Sequence, residues 1–136
     1  TDEIRKAYDI TKQDFVFGFV GRLVGDKGVN ELVNAFNKLE QKNIKLLLVG
    51  RYENELDPLD RETINLIKNN KKIIEVGFQT DVKKFLSIMD LFVSPSYREG
   101  FGGCRNKSKI DENLIEYFNT SLKKINSVKI PGVDNE

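Results

Sequence analysis

Four short apolar runs, separated by stretches of helical periodicity, constrain this chain more than anything else in it. They are Phe15–Val20 before Gly21, Lys45–Val49 before Gly50, Ile73–Val76 before Gly77, and Leu91–Val93 before Ser94-Pro95-Ser96. Apart from Gly18, Lys45 and Glu75, their side chains are β-branched, aromatic or leucine and point to both faces, the pattern of parallel strands covered on two sides. After the first run, Val29, Leu32, Val33, Phe36 and Leu39 recur at helical spacing and make one apolar stripe. Leu59, Thr63, Leu66 and Ile67 give the inner face of a second helix, which Asp57 is expected to cap with Pro58 in its first turn. Val82, Phe85, Leu86 and Met89 mark a third behind Thr80 as N-cap, with Met89 read as core filler rather than ligand. Strand alternating with helix predicts an α/β fold. Right-handed crossovers narrow it to a doubly wound, mostly parallel Rossmann-like sheet of about four core strands, with a C-terminal helix added.

A chain of 136 residues suits one such domain. Residues 1–14 read as a lead-in, with Thr1 as a cap and Ile4, Ala7 and Tyr8 at helical spacing; 15–103 read as the Rossmann-like domain. Residues 104–136 read as a divergent tail. In it Ile110, Leu114, Ile115, Phe118, Leu122 and Ile125 form an amphipathic helix, Ser108 and Asp111 a capping-box variant, and Val128-Lys129-Ile130 a short edge strand. The 22 basic and 21 acidic residues nearly cancel, which gives no electrostatic case for nucleic acid or an anionic membrane. No apolar run approaches the roughly 20 residues of a bilayer span. No signal peptide is legible at Thr1, and a start other than Met fits an excised piece. A single cysteine, Cys104, excludes an internal disulfide and fits the reducing cytoplasm. The absence of histidine excludes a Ser-His-Asp triad or a His-rich metal site within the chain.

Two loops carry the chemistry. The first, Gly21 to Gly28, holds three glycines with Arg22 and Lys27 and runs straight into a helix. Unpaired N–H groups at a helix start, with two cations beside them, make an anion site; the alternative is a glycine turn with two solvated cations. The spacing is neither that of a Walker A loop nor Gly-x-Gly-x-x-Gly. The second, Tyr97-Arg98-Glu99-Gly100-Phe101-Gly102-Gly103, sets a carboxylate before three closely spaced glycines. If the first three strands run outward and the fourth lies on the far side of the first, both loops meet at the switch point, where such sheets bind ligands. The acids Glu53, Glu55, Asp57 and Asp60 lack the spacing of an EF-hand loop and read as a solvated loop and cap.

Phe19-Val20-Gly21-Arg22-Leu23 followed by Lys27-Gly28 resembles the diphosphate-binding segment of retaining glycosyltransferases of the GT-B fold, family four. Val76-Gly77-Phe78-Gln79-Thr80-Asp81-Val82 resembles the segment near their nucleotide base, and Ser94 to Gly102 is similar to their donor-sugar loop. Arg51 to Pro58 looks closest to enzymes of bacterial capsular and exopolysaccharide assembly. The resemblance covers roughly Phe15 to Gly102, with the motifs in the family's order.

It implies a nucleotide-sugar donor, a UDP-sugar above others, and no metal or other cofactor. Gly21, Arg22 and Lys27 would meet the diphosphate, the two cations neutralising the leaving group as the glycosidic bond breaks. Glu99 would accept hydrogen bonds from the donor sugar, the amides of Gly100, Phe101 and Gly102 would border sugar and phosphate, Gly77 and Phe78 the base, and Gly50 the ribose. The lesser alternative for Glu99 is a surface carboxylate paired with Arg98 or a neighbour. The resemblance further implies an N-terminal acceptor domain as partner, absent from this sequence, and peripheral association of the full enzyme with the inner membrane at its cytoplasmic face.

Two departures stand out. The family places a second Glu or Gln eight residues after the first, on the ribose; here that position is Lys107, which has no acceptor. The small-residue helix that should follow is replaced from Gly103 by Lys- and Asn-rich sequence, as an interrupted or frame-shifted gene would produce. Because the acceptor domain is absent from this sequence, donor binding at best and no transfer is expected of this chain alone. The competing expectations are a degenerate, non-catalytic module whose tail helix covers the edge of the fourth strand or docks on a partner, and a sugar epimerase of the same fold, which would also need a second domain.

Overall fold

In the computed structural model, which describes residues 2–95 and 114–120, the four runs pair into one sheet of order β3-β2-β1-β4. Here β1 is Phe15–Val20, β2 Ile44–Val49, β3 Ile73–Gly77 and β4 Leu91–Phe92. All three pairings are parallel. β1 and β2 run in register from Phe15 opposite Ile44 to Val20 opposite Val49. β4 lies against β1 at Phe17 and Gly18. The chain thus steps outward through β2 and β3 and returns to the other side of β1, which sets the switch point between β1 and β4 as expected.

The two central strands are buried along most of their length, in keeping with their apolar sequence on both faces. The outer strands are not: Glu75 and Phe92 stand exposed. An edge strand has one neighbour, and its outer side chains run past the covering helices.

Side-chain alternation sends Phe17, Phe19, Leu46 and Leu48 to one face. There they meet α2 (Val29–Asn37) through Leu32, Val33 and Phe36, and α3 (Arg61–Asn69) through Ile67. Val16, Leu47 and Val49 face the other way, onto Phe85 of α4 (Lys83–Leu86) and onto Ile10 and Ile88. A four-residue helix covers little, and Ile4 and Tyr8, from α1 (Asp2–Ala7) and the turn after it, complete that layer. Tyr8 lies 6.3 Å from Phe85 ring to ring. The segment read as a lead-in therefore forms part of the second layer. Met89 is core filler: its thioether sits where a Gly18 side chain would be.

The two expected helix caps are displaced. α3 begins at Arg61 with Asp60 before it, whereas Asp57 adopts a left-handed backbone (φ 53°) and its carbonyl accepts from the Gly25 N–H at 3.0 Å. Pro58 bridges Val24. The local Asp-Pro signal loses to a tether between two loops. α4 begins at Lys83, whose N–H is accepted by the Asp81 carboxylate at 3.2 Å, so Thr80 lies outside that turn. α2 and α3 are joined by a polar seam beside the apolar one. Asp60 donates its N–H to Asn30 Oδ1 (2.9 Å), and Asn70 Nδ2 donates to Asn37 Oδ1 (3.1 Å).

The tail contributes a helix over residues 114–120, here α5. Leu114 and Phe118 are fully buried in the cluster of Phe17, Phe36 and Val93. The Phe118 ring lies 4.6 Å from that of Phe17. Two of the apolar positions expected to cover an edge or engage a partner, Leu114 and Phe118, are thus packed into the face of the sheet at β1. Ile110, Leu122, Ile125 and the segment 128–130 lie outside the described residues. Among the described residues no helix is long and apolar enough to cross a membrane.

Candidate functional site

Parallel strands bring their following loops to one rim of the sheet, and two glycines let these ends close up. The Gly21 N–H donates to the Val49 carbonyl and the Gly50 N–H to the Gly77 carbonyl, both at 2.9 Å. Gly50 has φ 151°, and a side chain there would strike the Gly21 carbonyl oxygen. Only glycine permits both the dihedral and the approach.

Over these ends lies an open cavity of about 220 Å³. Its floor is Val20, Gly21, Val49 and Gly50, with Val82 from the turn before α4. Arg22, Arg51, Phe78 and Gln79 complete the lining. Phe78 is 64% exposed, unusual for a phenylalanine, and the Arg51 guanidinium carbon lies 5.5 Å from its ring centroid. Such a cation over a π-face holds the ring's orientation. Gln79 Nε2 donates to the Val76 carbonyl at 2.8 Å.

The loop after β1 is braced rather than free. The Leu23 N–H donates to the Arg51 carbonyl at 2.9 Å, and Leu23 pairs with Tyr52 as an isolated bridge. A short 3-10 turn, Gly25–Lys27, leads to Gly28, which at φ 77° starts α2. A side chain on Gly28 would strike the Pro95 carbonyl oxygen. The loop from β1 and the chain leaving β4 are therefore in contact at the switch point.

The residues singled out in the sequence divide between these two places. Gly21, Arg22, Gly50 and Phe78 line the cavity, and Gly77 forms its shoulder through the bond to Gly50. Lys27 is apart from the cavity, in the turn that abuts the Gly28–Pro95 contact. Arg22 is exposed at the rim. Glu99, Gly100, Phe101 and Gly102 lie outside the described residues, as does Lys107.

Arg51 and Gln79 are cavity residues that the motif reading did not assign. The signal was available: each stands within two positions of a strand-ending glycine, and in a parallel sheet those positions share one rim. Tyr52, beside Arg51, donates its hydroxyl to Glu75 Oε2 at 2.6 Å. Burial first, then that hydrogen bond and the carboxylate's charge, push its phenol well above the ordinary tyrosine range. A raised folded-state pKa stabilises the fold fully below the unfolded value, about 10, and progressively less as pH rises above it. Phenolate absorbance followed through alkaline pH should contain a late component that is missing in Tyr52→Phe. Among the described acids, Glu53 Oε1 accepts from the Glu55 N–H at 3.4 Å. The described residues contain no cluster of three acidic or cysteine side chains fit to hold a metal ion.

Comparison with known proteins places this geometry. The family model described as glycosyl transferases group 1 matches residues 1–103. The capsular polysaccharide biosynthesis glycosyltransferase CapM of Staphylococcus aureus is 35% identical over 99 residues, which are 71% of this chain and 26% of that protein. The chain thus spans about a quarter of that relative's length. HepE of Anabaena, solved in complex with UDP-glucose, superposes with a TM-score of 0.71 at 17% identity, over 92% of this chain and 43% of the other. The C-terminal domain of the glycosyl transferase group 1 family protein LpcC of Francisella tularensis superposes with a TM-score of 0.57 at 20% identity, over 79% of this chain and 77% of that one. These structural likenesses concern the fold, a Rossmann-like half of the GT-B type. By the match of the family model over most of its length and its identity to a capsular enzyme, the chain belongs to the glycosyl transferases group 1 family.

Proposed function

We propose that this chain is the donor-binding half of a retaining glycosyltransferase of bacterial surface-polysaccharide assembly, that its donor is a UDP-sugar, and that it performs no transfer alone. The observation that carries the reading is the cavity over the glycine-closed strand ends, rimmed by Arg22 and Phe78, in a chain 35% identical to a capsular polysaccharide enzyme. HepE, with a similar fold, was solved with UDP-glucose.

The chemistry follows from the positions. A nucleoside enters with its base against the valine floor and Phe78. The diphosphate then runs past Arg22 toward Lys27 and the start of α2, where amide N–H groups and two cations meet its charge. As the glycosidic bond breaks, negative charge grows on the departing diphosphate, and cations already aimed there lower the barrier without a metal. Glu99 is assigned to the sugar hydroxyls. An acceptor domain across the cleft, in the cytoplasm or at the inner face of the membrane, completes the enzyme.

Calorimetric titration of the chain with UDP and UDP-glucose tests this. Saturable binding is expected, and Arg22→Ala and Lys27→Ala should each weaken it by roughly tenfold or more, the worth of a charge-assisted contact. Heats equal to those of buffer dilution would end the donor reading. The module reading, with the tail as a docking helix, is disfavoured because Leu114 and Phe118 are already buried in this chain's own core.

A further inference from the structure

We propose that Tyr52 is a positioning residue for the donor's diphosphate: its hydroxyl, bonded to Glu75, latches the loop after β2 onto β3, and that loop sets the spacing of Arg22 and Lys27. The inference rests on the donor reading above. Residues 51–58 form no helix or strand, and all of them but Tyr52 and Glu53 stand exposed. Such a segment keeps one conformation where something outside it fixes it. Yet it grips the loop after β1 at three successive residues. The Leu23 N–H donates to the Arg51 carbonyl at 2.9 Å, Val24 bridges Pro58, and the Gly25 N–H donates to the Asp57 carbonyl at 3.0 Å. Leu23 follows Arg22 directly, and Gly25 opens the turn that carries Lys27. The grip at Gly25 is close: an Asp57 carboxylate oxygen lies 2.7 Å from the point that a side chain's first carbon would occupy.

Tyr52 connects this grip to the sheet. Its backbone bridges Leu23, its ring packs against the core that holds Leu23, and its hydroxyl donates to Glu75 Oε2 at 2.6 Å. Glu75 belongs to β3 and stands opposite Leu48 of β2. One side chain thus links the loop after β1 to β3, across the strand that lies between them. A short bond to a carboxylate is strong and directional, so it fixes the ring and with it the loop. Burial, and then that bond, keep the phenol protonated well above the ordinary tyrosine range, so the donor is in place throughout neutral pH. Cations carried on a loose loop must be ordered as the diphosphate arrives, and that ordering weakens binding. A latched loop holds them in place beforehand. The effect belongs to the phosphates, because the cavity that takes the base is built on the strand ends rather than on this loop's outer part.

Tyr52→Phe keeps the ring and removes the latch. In the whole chain without nucleotide, amide hydrogen exchange at Leu23 and Gly25 should quicken by roughly 3- to 10-fold, while that of Leu46, bonded to the Lys72 carbonyl within the sheet, stays as it was. In calorimetry UDP should bind roughly 3- to 10-fold more weakly, and UMP, which lacks the second phosphate, less than about twofold more weakly. Glu75→Gln and Glu75→Leu remove the same charge, but glutamine still offers the Tyr52 hydroxyl an acceptor. UDP affinity should therefore be kept in the first and lost in the second. A merely structural Tyr52 would lower thermal stability and leave the ratio of UDP to UMP affinity standing, which overturns the inference. Unchanged exchange at Leu23 and Gly25 in Tyr52→Phe overturns it as well. Failure of the unaltered chain to bind UDP ends the donor reading instead, and the exchange measurement, made without nucleotide, tells the two failures apart.

Discussion

Replacing Phe118 by alanine should cost about 3–5 kcal/mol of folding stability, the range for an aromatic side chain removed from a packed core. Phe118 is fully buried, its ring 4.6 Å from Phe17, itself at the centre of the sheet and in edge contact with Phe15 and Phe36. Little nearby can collapse to refill the space, because Phe17 is held by strand pairing on both sides. A loss of that size is a large share of the 5–15 kcal/mol typical of a domain. Glu116→Ala, at an exposed position of the same helix, should change stability by less than about 0.5 kcal/mol. Urea unfolding of both variants decides whether the tail helix belongs to the core. A Phe118→Ala loss as small as that of Glu116→Ala would mean that it merely hangs from the domain.

Gly50→Ala should be at least as damaging, and for a different reason. Its φ of 151° is poorly open to an L side chain, and the new methyl would sit on the Gly21 carbonyl. Both are backbone constraints, so no rotamer change relieves them. The ends of β1 and β2 must part, straining the bonds from Gly21 to Val49 and from Gly50 to Gly77. We expect a loss above about 3 kcal/mol together with loss of nucleotide binding, since these two glycines form the cavity floor. Gly77→Ala is the informative partner. Gly77 also has positive φ, 74°, but open space lies where its side chain would go. Only conformational strain then applies, about 1–2 kcal/mol. Equal losses in the two variants would show that strand-end closure contributes nothing beyond backbone strain.

The separation of Arg22 from Lys27 sharpens the site. In sequence they are two cations of one loop. In the fold Arg22 borders the cavity while Lys27 rides the turn at the switch point. The loop between them is held down by Arg51, Asp57 and Pro58, so their spacing is a property of the β2–α3 connection as much as of their own segment.

The amino-acid sequence by itself determined the strand and helix alternation, the parallel pairing and the switch point. These depend on the period and polarity of short segments, and burial on both faces writes itself as unbroken apolar runs. It also marked Gly21 and Arg22, through a glycine-rich loop with two cations running into a helix, while Gly50 and Phe78 were marked by the family resemblance. Only the tertiary structure decided where α3 begins, that the first residues and the tail helix belong to the two layers, and that Arg51 and Gln79 enter the cavity. Each of those depends on contacts between segments distant along the chain, such as Asp57 with Gly25 or Phe118 with Phe17. A local signal such as Asp-Pro carries no trace of the partner that will outbid it.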